Sequence, residues 1–451
     1  MPQNMKQLLL SVISVWITAL LFTAPSFGQQ QTLSLSLEDA VELALENNRE
    51  IKISEFDVEA AESGLREATG GFLPEVSASG QYLRNVKRPV IFIGDGFPGM
   101  EGGAIEVGSN NSYQATLTAT LPLYSRQLIK GREAASRSRD LSEVNYQSTR
   151  NEVAGAVMQT YHAILLSQEV LEFTGRRIEN AEQQLENVKR LQSEGLATEY
   201  DVLVAEVQLE NLYPEYIQAE DDVESYMLEL KNLMGIVDEG EIELTGELDP
   251  NVDNSWPHQQ TAREMLASNY QLRLLESQLN LVQNSIELEQ ASLYPTLSIF
   301  GNYQYQTEAN TFEFSNYDWI NSAAIGLSLQ VPIFSGNRNR ERINQAEIDL
   351  KQLQEQRSQT EEALVTEFTR LTNRLGQIQR RIEATERALA QAERAYELSV
   401  MRFEQGLGTQ IEINDSELAF ASSQFNNLQA LFDYQVALIS LNQLQGQLTS
   451  Q

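Results

Sequence analysis

Two short segments set an acid three residues after a threonine, just behind a glycine: Gly195-Leu-Ala-Thr198-Glu-Tyr-Asp201 and Gly406-Leu-Gly-Thr409-Gln-Ile-Glu412. Thr-x-x-Asp or Thr-x-x-Glu at a helix start fits a capping box, in which the acid meets free backbone N–H groups. A carboxylate in the first turn also gains from the helix dipole. Asp415 differs: it lies beyond the capping positions, three residues after Glu412 and on the same face. Other chemistry is thin. His162 and His258 are the only histidines, cysteine is absent, and neither histidine has an obvious third ligand. No phosphate-binding glycine loop and no HExxH occur, the 8 methionines are scattered, and among 64 acids spacing carries no information. This predicts no enzyme, no metal site and no cofactor.

The elements that carry these residues repeat. Leu73-Pro74-Glu75-Val76 aligns with Tyr294-Pro295-Thr296-Leu297 at an offset of 221, which also pairs Asn48 with Asn269. Leu121-Pro122-Leu123-Tyr124-Ser125 aligns with Val331-Pro332-Ile333-Phe334-Ser335 at 210. The two glycine segments align at 211, as do Leu233-Met234-Gly235 and Leu444-Gln445-Gly446. The chain is therefore read as a tandem duplication: repeats over 29–248 and 258–451, with a joint at 249–257. The first copy has about 11 extra residues, within the Gly/Pro-rich stretch Pro89–Gly108, which reads as a loop. Residues 1–28 carry Lys6, an apolar run Leu8–Phe22 and a small-residue site at Ser26-Phe27-Gly28. The run is short of the ~20 residues a spanning helix needs, so a signal peptide and export are expected.

Each copy holds two alternating segments. Tyr113, Ala115, Leu117, Ala119 and Leu121 share one face, against Gln114, Thr116, Thr118 and Thr120. Val76–Tyr82 and Ile325–Val331 follow the same rule, whereas Leu297–Tyr305 sets Phe300 on its polar face. Period two predicts strands, at about 72–88, 112–123, 294–307 and 320–333. The alternating segments carry no charge, although 21% of the chain is charged. Uncharged strands with one apolar face, one Ser/Thr/Gln face and flanking aromatics suit a transmembrane β-barrel; a soluble sandwich layer would carry Lys and Glu outside. Four strands cannot close a barrel, which needs about eight, and an open edge cannot sit in lipid. A shared, oligomeric barrel follows.

The remainder reads as long helices at about 125–193, 199–235, 336–404 and 410–446, with shorter ones at Ser36–Thr69 and Thr261–Ser292. Apolar residues recur at heptad spacing (Ile164, Leu171, Ile178, Leu185; Leu364, Leu371, Ile378), arguing coiled-coil packing. The first long helix would span about 100 Å. Pro214 falls inside a returning helix, where a kink or break is expected. With 32 basic against 64 acidic residues, the net charge of −32 excludes nucleic acid as a partner.

Signal peptide, duplication, helix–strand–strand–helix–helix units and the proline landmarks Pro74, Pro122, Pro295 and Pro332 together resemble the TolC-like outer-membrane efflux protein family. The match runs from about Ser36 to Gly446. It implies a mainly α fold with a transmembrane β-barrel: a homotrimer whose 12-stranded barrel, four strands per protomer, continues into a periplasmic helical tunnel. It further implies an outer-membrane channel in a Gram-negative bacterium, a passive duct for tripartite efflux or type I secretion. A periplasmic adaptor would open it, and an inner-membrane pump of RND, ABC or MFS type would supply the energy. The absent cysteine departs from lipidated relatives. In the family, acidic rings constrict the tunnel at its periplasmic tip. The matching positions are Glu412 and Asp415, and in the first copy Asp201 and Val204. Carboxylates repeated around a narrow axis repel one another, bind cations and resist anions; for Glu412 and Asp201 the cap is the competing reading. Gly195, Leu196, Thr198, Gly406, Leu407, Gly408 and Thr409 become adaptor-contact candidates, against plain termination by glycine. Where the family carries a basic tip-locking residue, this chain has Gly408. The prolines read as helix–strand junctions. The alternative function is a periplasmic coiled-coil scaffold or adaptor without a pore.

Overall fold

The computed structural model describes residues 33–93, 103–236, 242–248, 262–313 and 316–448. The signal segment, the joint at 249–257 and His258 lie outside them.

The elements run β1 (Leu33–Leu35), α1 (Leu37–Asn47), α2 (Arg49–Gly70), β2 (Glu75–Arg84), β3 (Val90–Ile93), β4 (Gly103–Glu106), β5 (Asn111–Ser125), α3 (Arg126–Ser193), α4 (Glu199–Met234) and β6 (Ile242–Leu244). Then follow α5 (Ala262–Ser268), α6 (Tyr270–Ala291), β7 (Thr296–Ala309), β8 (Ile320–Gln330), α7 (Arg338–Glu404) and α8 (Gln410–Leu444). The chain divides into two compact units, described separately below.

One unit (48–156, 262–390 and 433–448) contains the sheet. Its four strands pair antiparallel in the order β2-β5-β7-β8, so β5 of the first copy meets β7 of the second. The register brings Val76, Ala119, Gly301 and Ile325 into one row and Ser77, Thr118, Asn302 and Ala324 into the next. One face is thus mainly apolar and aromatic across the four strands; the other is mainly Ser, Thr, Asn and Gln. The apolar face is bare, with Ile325 80% and Leu327 67% exposed. β2 and β8 each leave one edge unpaired. Such a sheet is incomplete in one chain, because bare apolar rows and free backbone edges each demand a further partner. Among the described residues no helix is long and apolar enough to cross a membrane.

Three features depart from expectation in this unit. The stretch 89–108 is not simply loop: β3 and β4 pair antiparallel there, Val90 opposite Glu106, with Arg88 bonded to Glu106. Pro122 does not mark the helix–strand junction but lies inside β5, where the register slips between Pro122 and Tyr124. Its missing N–H is tolerated because it falls at a bulge, past the last β2 pair, Glu75 with Thr120. Pro74 and Pro295 directly precede β2 and β7, and Pro332 lies between β8 and α7. Third, each short helix is broken by an asparagine. The Asn48 side chain accepts from the N–H of Glu50 and Ile51 (2.8 and 3.2 Å) and that of Asn269 from Leu272 (3.1 Å), so each caps a new helix.

The other unit (33–47, 157–236, 242–248 and 391–432) holds the glycine turns. Here β1 and β6 form a two-stranded parallel ladder, Leu33 opposite Ile242, which periodicity does not reveal in three-residue strands. Buried Tyr161 ties it down, donating to the Leu35 carbonyl and accepting from the Gly246 N–H, both at 3.1 Å. Pro214 does not end its helix; α4 runs on to Met234. One lost bond in a helix of 36 residues is outweighed by its buried face, Leu209, Leu212 and Ala219.

Candidate functional site: the glycine turns and the acids behind them

Both turns close in the same way. Gly195 (φ +78°) and Gly406 (φ +68°) adopt the left-handed region that L side chains avoid. Leu196 N–H reaches the Leu191 carbonyl and Leu407 N–H that of Arg402, each at 2.8 Å, satisfying carbonyls orphaned at the helix ends. Leu196 and Leu407 project at the turn tips, 73% and 67% exposed. Beneath the first turn, Val188, Val202 and Ala205 form a small core with Leu185, Ala197 and Phe403 against it.

The acids have different surroundings. Asp201 and Thr198 form a complete capping box: the Asp201 carboxylate accepts from the Thr198 N–H (2.8 Å) and hydroxyl (2.7 Å), and Thr198 Oγ1 accepts from the Asp201 N–H (3.2 Å). In the second copy only half of this exists. Thr409 Oγ1 accepts from the Glu412 N–H at 3.3 Å, while the Glu412 carboxylate turns to Arg402, 3.7 Å away. Arg402 also donates to the Leu407 carbonyl at 3.2 Å. Gly408 leaves room for this, since a Cβ there would lie 3.2 Å from Glu412 Oε2. Asp415 is exposed, with no hydrogen bond or ion pair among the described residues.

A further group was not foreseen. Arg177 of α3 donates Nε to Glu417 of α8 and Nη1 to Glu215 of α4, both at 2.6 Å. The side chains of Arg177 and Glu417 are each only 12% exposed. Burial works against the guanidinium's charge, but the hydrogen bonds and charges of Glu417 and then Glu215 outweigh it and raise its pKa above the ordinary value. Tyr396, stacked on Phe420, has its hydroxyl pKa raised by burial and by Glu417. A cavity of about 250 Å³ lies against these groups. Arg177 and Glu417 stand 240 residues apart, so no spacing rule joins them.

His162 is held below the ordinary imidazole pKa by burial, and its Nδ1 has no hydrogen-bond partner among the described residues. Among the described residues no cluster of His, Asp and Glu could hold a metal ion.

The model of a family described as outer membrane efflux protein matches residues 40–236 and 261–447. The outer membrane protein TolC of Vibrio cholerae is 22% identical over 421 residues, 92% of each chain. The proteases secretion protein PrtF of Dickeya chrysanthemi is 22% identical over 367 residues, 80% of this chain and 77% of that one. Among solved structures, the outer-membrane channel OprN superposes with a TM-score of 0.73 at 17% identity, covering 91% of this chain and 89% of that one.

Proposed function

The chain belongs to the outer membrane efflux protein family, and on that premise we propose that it is the exit duct of a tripartite efflux pump or of a type I secretion system. Its place is the outer membrane of a Gram-negative bacterium, and its fold is that of the TolC-like channels. The observation that carries the reading is the four-stranded sheet, with faces segregated by polarity and one free edge on each side. Edge β2 of one copy against β8 of the next would satisfy both edges at once. Three copies then give twelve strands, with the apolar face toward lipid and the Ser/Thr/Gln face lining the lumen.

The lumen face of the strands is uncharged apart from its ends, so ion selection falls to the helical part. Glu412 and Asp415 are the gate candidates: among the described residues Asp415 has no hydrogen bond or ion pair, and the Glu412 carboxylate makes only the long contact to Arg402. Asp201, engaged with its own cap, is the weakest of the three. The projecting Leu196 and Leu407, on turns held by Gly195 and Gly406, supply an apolar contact for a periplasmic adaptor. Energy would come from an inner-membrane pump of RND, ABC or MFS type through that adaptor, and no step needs a cofactor or catalysis. A scaffold without a pore would have no use for an uncharged sheet with a bare apolar face.

The test is single-channel conductance of the detergent-purified protein in a planar bilayer, beside a Glu412→Ala/Asp415→Ala variant. The expected result is a small cation-selective conductance that rises, with weaker selectivity, on neutralisation. Equal conductance and selectivity in both would remove the gate role from these acids. No conductance from inserted protein would remove the duct.

A further inference from the structure

The stretch from Val76 to Gly94 carries three cations, Arg84, Lys87 and Arg88, and no acid, in a chain with twice as many acids as bases. The cluster belongs to the first copy alone: the 221-residue offset sets Tyr305 and Glu308 where Arg84 and Lys87 stand. Glu106 holds Arg88. Arg84 and Lys87 are exposed and have no hydrogen bond or ion pair among the described residues.

Period two puts Arg84 on the apolar face of the sheet, with Val76, Ala78, Gly80 and Tyr82. Just before it on that face runs an aromatic band: Tyr82 stacks on Tyr113 and Tyr305 on Trp319, each with ring centroids 4.9 Å apart. The Arg84 guanidinium lies 5.5 Å from the Phe312 ring centroid, a contact that orients the charge without neutralising it. Glu308, the acid of the neighbouring row, pairs with Ser112 beside Leu83 and so lies on the opposite face.

The level of Arg84 follows from strand geometry. The helices join the other end of the sheet, α2 before Glu75 and α3 after Ser125, so in a duct with periplasmic helices the Arg84 end faces outward. Val76 to Arg84 is eight steps of β2, which at ~3.4 Å each and a tilt of about 40° gives about 20 Å of height, against about 25 Å for the apolar band of such barrels. Arg84 thus ends the band, at the depth of the outer-leaflet headgroups. In a Gram-negative outer membrane these are the phosphorylated sugars of lipid A. Arginine meets a phosphate through two parallel hydrogen bonds, and lysine meets it as a point charge.

We propose that Arg84 and Lys87 bind the phosphorylated headgroup of an outer-leaflet lipid A molecule, one per protomer, with its acyl chains along the Tyr82–Tyr113 band. The inference rests on the duct reading, which places this face in lipid, and adds a specific lipid that a barrel wall does not by itself require. β2 is an edge strand, so the bound lipid borders the seam that the duct reading sets between β2 and β8 of the next copy.

The test is native mass spectrometry of the detergent-purified oligomer titrated with lipid A, dephosphorylated lipid A or phosphatidylglycerol, in the parent and in Arg84→Gln/Lys87→Gln. The parent should take up three lipid A molecules per trimer, the variant should bind them roughly tenfold more weakly, and the dephosphorylated lipid should not distinguish the two. Where the double variant does not assemble, Lys87→Glu, outside the strand, takes its place with the same expected weakening. Equal lipid A binding in parent and variant overturns the site. So does equal weakening for the dephosphorylated lipid, which would leave acyl packing alone, and so does phosphatidylglycerol bound as tightly as lipid A. Loss of the trimer in the double variant with lipid A binding intact in Lys87→Glu also overturns it, assigning Arg84 to the seam. A parent that forms no trimer overturns the duct reading instead.

Discussion

Phe300 lies on the polar face of β7 directly opposite Gly326 of β8, and a Cβ at 326 would come within 2.8 Å of the Phe300 ring. The ring covers the glycine's bare backbone. This accounts for the one aromatic that breaks the alternation of its strand: Phe300 is the partner of a missing side chain on the neighbouring one.

Gly326→Val should therefore destabilise by about 1–3 kcal/mol, since ring and side chain cannot share the space. Gly301→Val on the opposite face, where a Cβ meets only a backbone oxygen at 3.8 Å, should cost less. Thermal melts of the two variants, read by circular dichroism in detergent, test the difference.

Asn48 and Asn269 start equivalent helices, and Asn269 also donates to the Leu444 carbonyl at 2.8 Å. Replacing either by alanine should cost about 1 kcal/mol for the lost cap. Asn269→Ala should cost more than an isolated cap because it also frees the last turn of α8. Urea unfolding midpoints of the single variants measure both.

Tyr161→Phe removes one hydroxyl that bonds two segments far apart in sequence. The Gly246 N–H then loses its partner, at about 1 kcal/mol. Because the change falls on the short β1–β6 ladder, amide hydrogen exchange should speed up at 242–246 before global stability changes much.

His162 gives a pH dependence whose sign follows from its depressed folded-state pKa. The unfolded chain takes up a proton near the ordinary value of about 6.5, while the folded chain resists it. The contribution is fully present above the unfolded pKa and is lost as pH falls from there through the folded value. His162→Phe should flatten that part of a plot of melting temperature against pH between about 7 and 5. An equal slope in both proteins would assign the dependence to other groups.

Much of this architecture is local and so was legible in the residues. Alternation without charge marks the four strands, heptads mark the long helices, and Gly195 and Gly406 end them because only glycine takes the left-handed turn without strain. The Thr198–Asp201 capping box is likewise a matter of three residues. The 221-residue offset pairs Asn48 with Asn269, but spacing could not say that both are caps, since a cap is known by its hydrogen bonds. Tertiary structure alone decided what distant segments do to one another. It paired β5 with β7, laid Phe300 over Gly326, set Leu33 beside Ile242, and brought Arg177 to Glu417 across 240 residues. Periodicity records which face of an element is apolar; it holds no record of which face meets which, and the bonds that join the two copies exist only once that choice is made.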